Sequence, residues 1–413
     1  MFLIELPGRS RAPGAVTESQ SPVSETRLEL PHSLVIVKPT LFPMTWREKF
    51  LLNFGPGMLA GITLSQWAKL LLKEAVHIAP SRLPRVFAIT SQSLKNSLLL
   101  KLENRRYAKP LRDLKLQPPL FVLGHWRSGT THLHQLLAQD TRFAFPTNFQ
   151  VAFPQTFMTA KAFEYRMVSF FLPSHRPMDN MEWNLESPQE DEFALCAMTL
   201  LSPCMGWVLP QHRHKFERYL SFQDVAPAEL LAWKEAFESF LKKLQFHYGR
   251  PIILKSPPHT ARIRLLLEMF PQARFVHIHR DPYRVFQSSR HTFQVIYRLN
   301  SLQSLPSEDM DDWIISQYKA MYEAYFTDRA AVPPGQFYEI GFEQLEKDPE
   351  GELRKLYQAL ALPDFELALP KVRGYLASVS GFKKNTFTEL APELRQRIYR
   401  QWAACFEEWK YPV

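Results

Sequence analysis

The sequence predicts an α/β fold: a parallel β-sheet flanked by helices, with a helical extension in front. Three observations predict it. Short apolar runs alternate with stretches of helical periodicity, the pattern of β-α-β units. Three of these runs stop at Gly124, Lys255 or Arg280, so phosphate-type residues gather at the carboxyl ends of strands, where such sheets bind ligands. The first run, moreover, passes through a glycine-containing loop straight into a helix N-terminus.

Along the chain, residues 1–32 are rich in Ser, Pro, Glu and Thr without apolar periodicity and read as a disordered tail. Residues 33–112 read as a helical N-terminal extension and 113–413 as the main domain. Leu120–Leu123 is the first core strand. Ala226–Tyr248 carries Leu230, Trp233, Phe237, Phe240, Leu241 and Leu244 at helical spacing. Pro251–Leu254 is a buried strand, Ala261–Phe270 a helix and Arg274–Ile278 a strand. Asp311–Asp328 follows as a helix, Gln336–Ile340 as a strand and Glu350–Leu360 as a helix, with an Arg- and Gln-rich helix near the end.

Pro118 to Leu133 carries the most specific local signal. The strand stops at Gly124, the chain crosses a loop containing Gly129, and Leu133, Leu136 and Leu137 resume at helical spacing. Backbone N–H groups in such a loop point inward and, with the helix dipole, form an anion site. The loop is P-loop-like, but Thr130-Thr131 stand where a Walker A motif has Lys-Ser/Thr, and its cation, Arg127, lies inside the loop. Arg127, Ser128, Gly129, Thr130 and Thr131 therefore read as a phosphate cradle not built for ATP with magnesium. Downstream, Arg280 closes the strand Arg274–Ile278 and Ser288 sits in the next helix. A guanidinium fork and a hydroxyl can hold a second phosphate; an ordinary ion pair with a helix cap is the alternative.

These two motifs, in this order and with Ile253-Leu254-Lys255-Ser256-Pro257 between them, resemble the sulfotransferases that use 3′-phosphoadenosine 5′-phosphosulfate (PAPS). The resemblance covers roughly residues 118 to 362, with a weaker match at Gly381–Asn385. Arg127 is similar to the loop arginine of the bacterial and tyrosyl-protein branch; the cytosolic hormone and phenol enzymes have lysine there. The resemblance implies a catalytic domain over 113–413 with PAPS as cosubstrate and no metal. It also implies that the first loop holds the 5′-phosphosulfate and that Arg280 and Ser288 hold the 3′-phosphate. Lys383 and Lys384 would belong to a late loop closing on the 3′-phosphate and adenine, or else to a solvated surface. Lys255 matches the lysine that stabilises the leaving group in tyrosyl-protein sulfotransferases, against the alternative of a strand-end lysine reaching for solvent.

The base is open. Cytosolic sulfotransferases place a histidine two residues beyond the corresponding lysine, where this chain has Pro257, with His259 close by. The other candidates are Glu190 and Glu192, in an acidic run preceding a helix apolar on every face. A buried helix with carboxylates at its mouth suggests a site. The same run, Ser187-Pro188-Gln189-Glu190, also reads as a capping box with proline at the first helical position. His125 and Trp126 face the acceptor or adenine, or fill the space beneath the loop.

The net charge of +9 suits a polyanionic cosubstrate, and no compact Lys/Arg run points to nucleic acid. Three cysteines without metal-ligand spacing argue for a reducing compartment, so the expected location is cytoplasmic. Residues 50–72 are interrupted by Gly55-Pro56-Gly57 and Lys69; Met58–Leu72 could be an amphipathic helix making peripheral membrane contact or one packed on the core. Phenylalanines between 143 and 225 suggest walls for an apolar, lipid-like acceptor, or core. The expected activity is sulfuryl transfer from PAPS to a hydroxyl, less readily an amine. The alternatives are a P-loop kinase-like enzyme and a non-catalytic membrane-surface module of the same fold.

Overall fold

The computed structural model describes residues 45–73, 77–172, 184–305, 309–381 and 387–413. The expected tail 1–32 and the lysine pair Lys383 and Lys384 lie outside the described residues. Four parallel strands form the sheet: β1 (Leu120–Leu123), β2 (Ile253–Lys255), β3 (Arg274–His279) and β4 (Phe337–Gly341), ordered β2-β1-β3-β4. Every residue of β1 is buried. Consecutive side chains of a strand point to opposite faces, and here both faces are apolar. Phe121 and Leu123 join one core with Leu254 and Phe275, whereas Leu120 and Val122 join another with Ile253, Val276, Ile278 and Ile340. Helices must then cover both sides. Pro227–Tyr248, Pro282–Asn300, Met310–Asp328 and Pro392–Trp409 pack into the first core; Thr130–Leu137 and Pro349–Ala359 pack into the second.

The chain runs from β1 to β2 on one side and then crosses to β3 on the other. That reversal opens a crevice at the carboxyl ends of β1 and β3, the place where parallel sheets bind ligands. β2 ends at Lys255 because Pro257 and Pro258 have no N–H to continue a ladder. The helix expected over Ala261–Phe270 runs Ile263–Met269, after a 3₁₀ turn over Pro257–Ala261.

The extension before β1 is helical: Trp46–Phe54, Leu64–Lys73 and the long Leu83–Arg112. The helix expected over Met58–Leu72 begins only at Leu64, after a 3₁₀ turn at Gly57–Leu59, because Gly55-Pro56-Gly57 interrupt the backbone. Leu59, Ile62, Trp67 and Leu70 are buried in the core, while Phe54, Leu64 and Leu72 are exposed. Among the described residues no helix is long and apolar enough to cross a membrane. The phenylalanine walls expected after residue 143 are mostly core: Phe143, Phe149, Phe153 and Phe157 are buried, while Phe170 is exposed.

Candidate active site

The first loop is held in a shape that few side chains could adopt. Gly129 has φ +104°, and a Cβ there would lie 2.3 Å from Phe342 Cδ2. Gly124 has φ +139°, and its Cβ would lie 2.4 Å from the Ile278 carbonyl. Arg127 occupies the left-handed region at φ +71° without being glycine, which marks local strain of the kind found at ligand clamps. Bonds from within and outside the loop fix its backbone. Thr260 Oγ1 accepts from Gly124 N at 2.8 Å, and Ser128 Oγ donates to the His125 carbonyl at 2.8 Å. The helix Thr130–Leu137 starts at Gly129 with no side-chain cap, so its first N–H groups face the crevice without that competitor.

His125 and Trp126 lie beneath this loop. The His125 ring sits 4.8 Å from that of Tyr318, and desolvation pushes its pKa down to about 4, outweighing the hydrogen bond that its Nδ1 donates to the Trp126 carbonyl, which raises it. Trp126 packs against Trp207 and Phe293.

Arg127, Arg280 and Ser288, far apart in sequence, converge. Arg127 Nε donates to Ser288 Oγ at 2.8 Å, and an Arg280 terminal nitrogen donates to the Arg127 carbonyl at 3.3 Å. Arg280 lies over the Phe342 ring at 4.3 Å. Its Nε is buried and has no hydrogen-bond partner among the described residues. Desolvation lowers its pKa, and Arg127 adds to the lowering. Two guanidinium groups crowded at a strand end beside an open helix N-terminus make a site that wants anions.

The acidic run resolves into three different side chains. The helix is Asp191–Thr199, so the proposed capping box does not form: Pro188 bridges Thr147, and Glu190 occupies the N-cap position without a side-chain cap bond. Glu190 instead turns to β2. Its Oε1 accepts from Lys255 Nζ at 2.6 Å, and the same ammonium reaches Thr131 Oγ1 at 3.5 Å. Glu190 Oε2 is buried with no hydrogen-bond partner among the described residues. The strand-end lysine is itself buried, which removes the reading of a side chain reaching for solvent.

Glu192 and His259 occupy other positions than the one expected of a base. Glu192 is fully buried and accepts from both terminal nitrogens of Arg262, at 2.6 and 3.0 Å, and from Ser202 Oγ at 2.7 Å. His259 is fully buried 2.6 Å from Asp191 Oδ2, its ring packed against Phe121 and Phe237. Both brace the acidic helix against the turn after β2, and His259 Nδ1, like Glu190 Oε2, is buried with no hydrogen-bond partner among the described residues. Asp191 also accepts from Ser256 Oγ at 2.9 Å. Burial pushes its carboxyl up, but the charge and hydrogen bonds of His259, with the Ser256 bond, hold it below the usual value.

A buried charge stripped of its partner costs about 3–5 kcal/mol. Glu192→Gln is therefore expected to destabilise the protein on that scale in urea denaturation while leaving turnover per folded molecule near wild type. A loss of turnover without a loss of stability would return Glu192 to the catalytic machinery. Asp191, Ser202, Ser256, Thr260 and Arg262 were not legible as site residues; the acid run was the one local signal pointing to this brace.

A sequence model of the sulfotransferase family matches residues 118–366. An omega-hydroxy-beta-dihydromenaquinone-9 sulfotransferase, Stf3, from Mycobacterium bovis is 37% identical over 367 residues, covering 89% of this chain and 93% of its own length; the Mycobacterium tuberculosis protein matches equally. Among solved structures, sulfotransferase STF9 from Mycobacterium avium superimposes with TM-score 0.65 at 20% identity, over 81% of this chain and 88% of that one. STF1 from Mycobacterium tuberculosis H37Rv gives TM-score 0.59 at 17% identity, over 83% and 92%. Anion-seeking loops at the β1/β3 crevice, a carboxylate–lysine pair beside them and these matches give one conclusion: the chain belongs to the sulfotransferase family.

Proposed function

We propose that this sulfotransferase uses PAPS as donor and sulfates a hydroxyl carried by a long apolar molecule, with Glu190 as the base. The observation that carries the reading is the Glu190–Lys255–Thr131 chain: a carboxylate with one oxygen tied to Lys255 at 2.6 Å and the other buried without a partner among the described residues, at the edge of the anion cradle. The residues fit the donor. The glycine cradle leaves no room for a Cβ at Gly124 or Gly129, and the orphaned Arg280 Nε awaits an acceptor.

Arg127, Ser128, Gly129, Thr130 and Thr131 would hold the 5′-phosphosulfate, and Arg280 with Ser288 the 3′-phosphate. Lys383 and Lys384 would close over the nucleotide. Bound PAPS supplies an electrophilic sulfuryl group on a phosphate leaving group. Glu190 Oε2 takes the proton of the acceptor hydroxyl as its oxygen attacks. Lys255 orients that carboxylate through Oε1 and places positive charge beside Thr131, where negative charge develops on the leaving side.

Two observations favour an apolar acceptor. Trp126 of the loop, Phe193 of the acidic helix, Trp207 and Phe293 form one aromatic cluster next to the Glu190 end of that helix. The mycobacterial relative, at 37% identity, is named for an omega-hydroxylated dihydromenaquinone.

The test is calorimetric titration with adenosine 3′,5′-bisphosphate in EDTA against an ATP control, followed by turnover of PAPS with ω-hydroxylated isoprenoids and with glycans. Metal-independent binding and sulfation of the isoprenoid are expected. Binding that requires magnesium, or turnover on glycans alone, overturns the reading.

A further inference from the structure

The helix Leu83–Arg112 buries mostly polar groups. Beside Ile89, its inward face carries Arg85, Ser93, Asn96 and Glu103. Arg85 donates to the Ser301 carbonyl at 3.1 Å, and Asn96 Nδ2 donates to the carbonyls of Ala60 and Ile62 at 2.8 and 2.9 Å. Glu103 accepts from Thr159 N at 2.8 Å and from Lys243 Nζ at 3.2 Å. Hydrogen bonds and ion pairs thus fasten the helix to the protein, and its leucines are left outside.

Leu83, Phe87, Leu94 and Leu98 share one helical face and are 57%, 75%, 53% and 57% exposed. At 1.5 Å per residue this stripe runs for about 22 Å. Farther along, Lys101, Arg105, Lys109 and Arg112 are exposed on the same face, at helical spacings from the apolar residues. An exposed apolar stripe, broken at Thr90 and Ser91, that becomes cationic along its length matches a bilayer interface: acyl chains for the leucines, anionic headgroups for the basic end. A second copy fits worse. A parallel pair would set the basic end against its own kind, and an antiparallel pair would set it against the leucines.

We propose that the outward face of Leu83–Arg112 docks the enzyme on an anionic lipid bilayer, a reading that rests on the apolar acceptor inferred above. The protein would then meet an acceptor that partitions into the membrane at the surface where it resides. This helix would join the contact expected at 50–72, where Phe54, Leu64 and Leu72 are exposed.

Flotation of the full chain with phosphatidylcholine vesicles, with and without about 30% phosphatidylglycerol, tests this. Wild type is expected to float with the anionic vesicles and to be released by salt. Leu94→Gln with Leu98→Gln should lower partitioning by about tenfold or more by removing buried apolar area; Lys101→Glu with Arg105→Glu should do the same. Both pairs should keep the wild-type melting temperature and turnover on a short, water-soluble hydroxylated acceptor, and lose turnover on a long-chain acceptor supplied in vesicles. Wild type that stays with the soluble fraction, or a Leu94/Leu98 variant that floats like wild type, overturns the proposal. So does a solution dimer abolished by the same two leucine substitutions without vesicle binding, which would assign the face to a second copy. Failure of the functional reading looks different: vesicle binding intact, with no apolar alcohol sulfated in either format.

Discussion

Glu190→Gln is expected to lower turnover by about 10²–10⁴-fold, the range for removing a positioned general base, while lowering the melting temperature less than Glu192→Gln does, because the buried Lys255 loses its counter-charge but keeps a hydrogen-bond acceptor. The geometry separates the two effects. Glu190 makes no side-chain cap bond to its helix, so the amide loses no cap. Lys255 keeps an acceptor, because a glutamine Oε1 can still receive its hydrogen bond at the position now 2.6 Å away. What disappears is the second carboxylate oxygen, the one buried without a partner among the described residues, and with it the ability to take a proton. Binding of adenosine 3′,5′-bisphosphate, which involves other residues, should stay within a few-fold of wild type. Steady-state kinetics and calorimetry on the same preparation check both halves. Wild-type turnover in the variant would place the base elsewhere, and weak nucleotide binding would mean that Glu190 supports the cradle rather than the chemistry.

The sheet and the anion loops were legible because their signals are local. Leu120–Leu123 runs from four apolar residues into a glycine, and Arg274–His279 ends at Arg280, so strand, loop and following helix can be read within a short window. The acidic end was not legible for the opposite reason. Glu190, Asp191 and Glu192 are adjacent and chemically alike, and their partners Lys255, His259 and Arg262 lie on a different segment. Nothing in the spacing says which acid meets which base; that depends on how the turn at Pro257–Ala261 packs under the helix. Ser187 and Pro188 gave a plausible cap, but tertiary pairing of Pro188 with Thr147 moved the helix start to Asp191. The sequence marked 33–112 as helical without saying which face of its long helix turns inward. A helix is expected to bury its apolar stripe, and Leu83–Arg112 buries its polar one because Arg85, Asn96 and Glu103 find carbonyls, an amide and an ammonium on the protein.

Arg127→Ala is expected to separate stability from affinity in opposite directions. Arg127 and Arg280 lie together at the crevice, and the charge of each disfavours the other; Arg280's pKa is lowered by burial first and by Arg127 next. Removing one guanidinium relieves that repulsion, so the unliganded protein should melt at or slightly above the wild-type temperature, despite losing the 2.8 Å bond to Ser288. The backbone at φ +71° remains unfavourable for alanine as it was for arginine, so that contribution cancels. The ligand experiences the reverse. A charge-assisted hydrogen bond contributes about 1.5–3 kcal/mol, or about 10- to 150-fold in affinity per bond lost. Adenosine 3′,5′-bisphosphate should therefore bind far more weakly, and the upward shift in melting temperature that it produces in wild type should shrink or vanish. Arg127→Lys keeps the charge but not the planar fork, and should recover part of the affinity and little of the turnover. Thermal melts with and without the bisphosphate read both signs in one experiment. If the alanine variant instead unfolds early and binds the nucleotide normally once folded, Arg127 is a loop strut, and the anion site is carried by Arg280 and the helix N-terminus at Thr130.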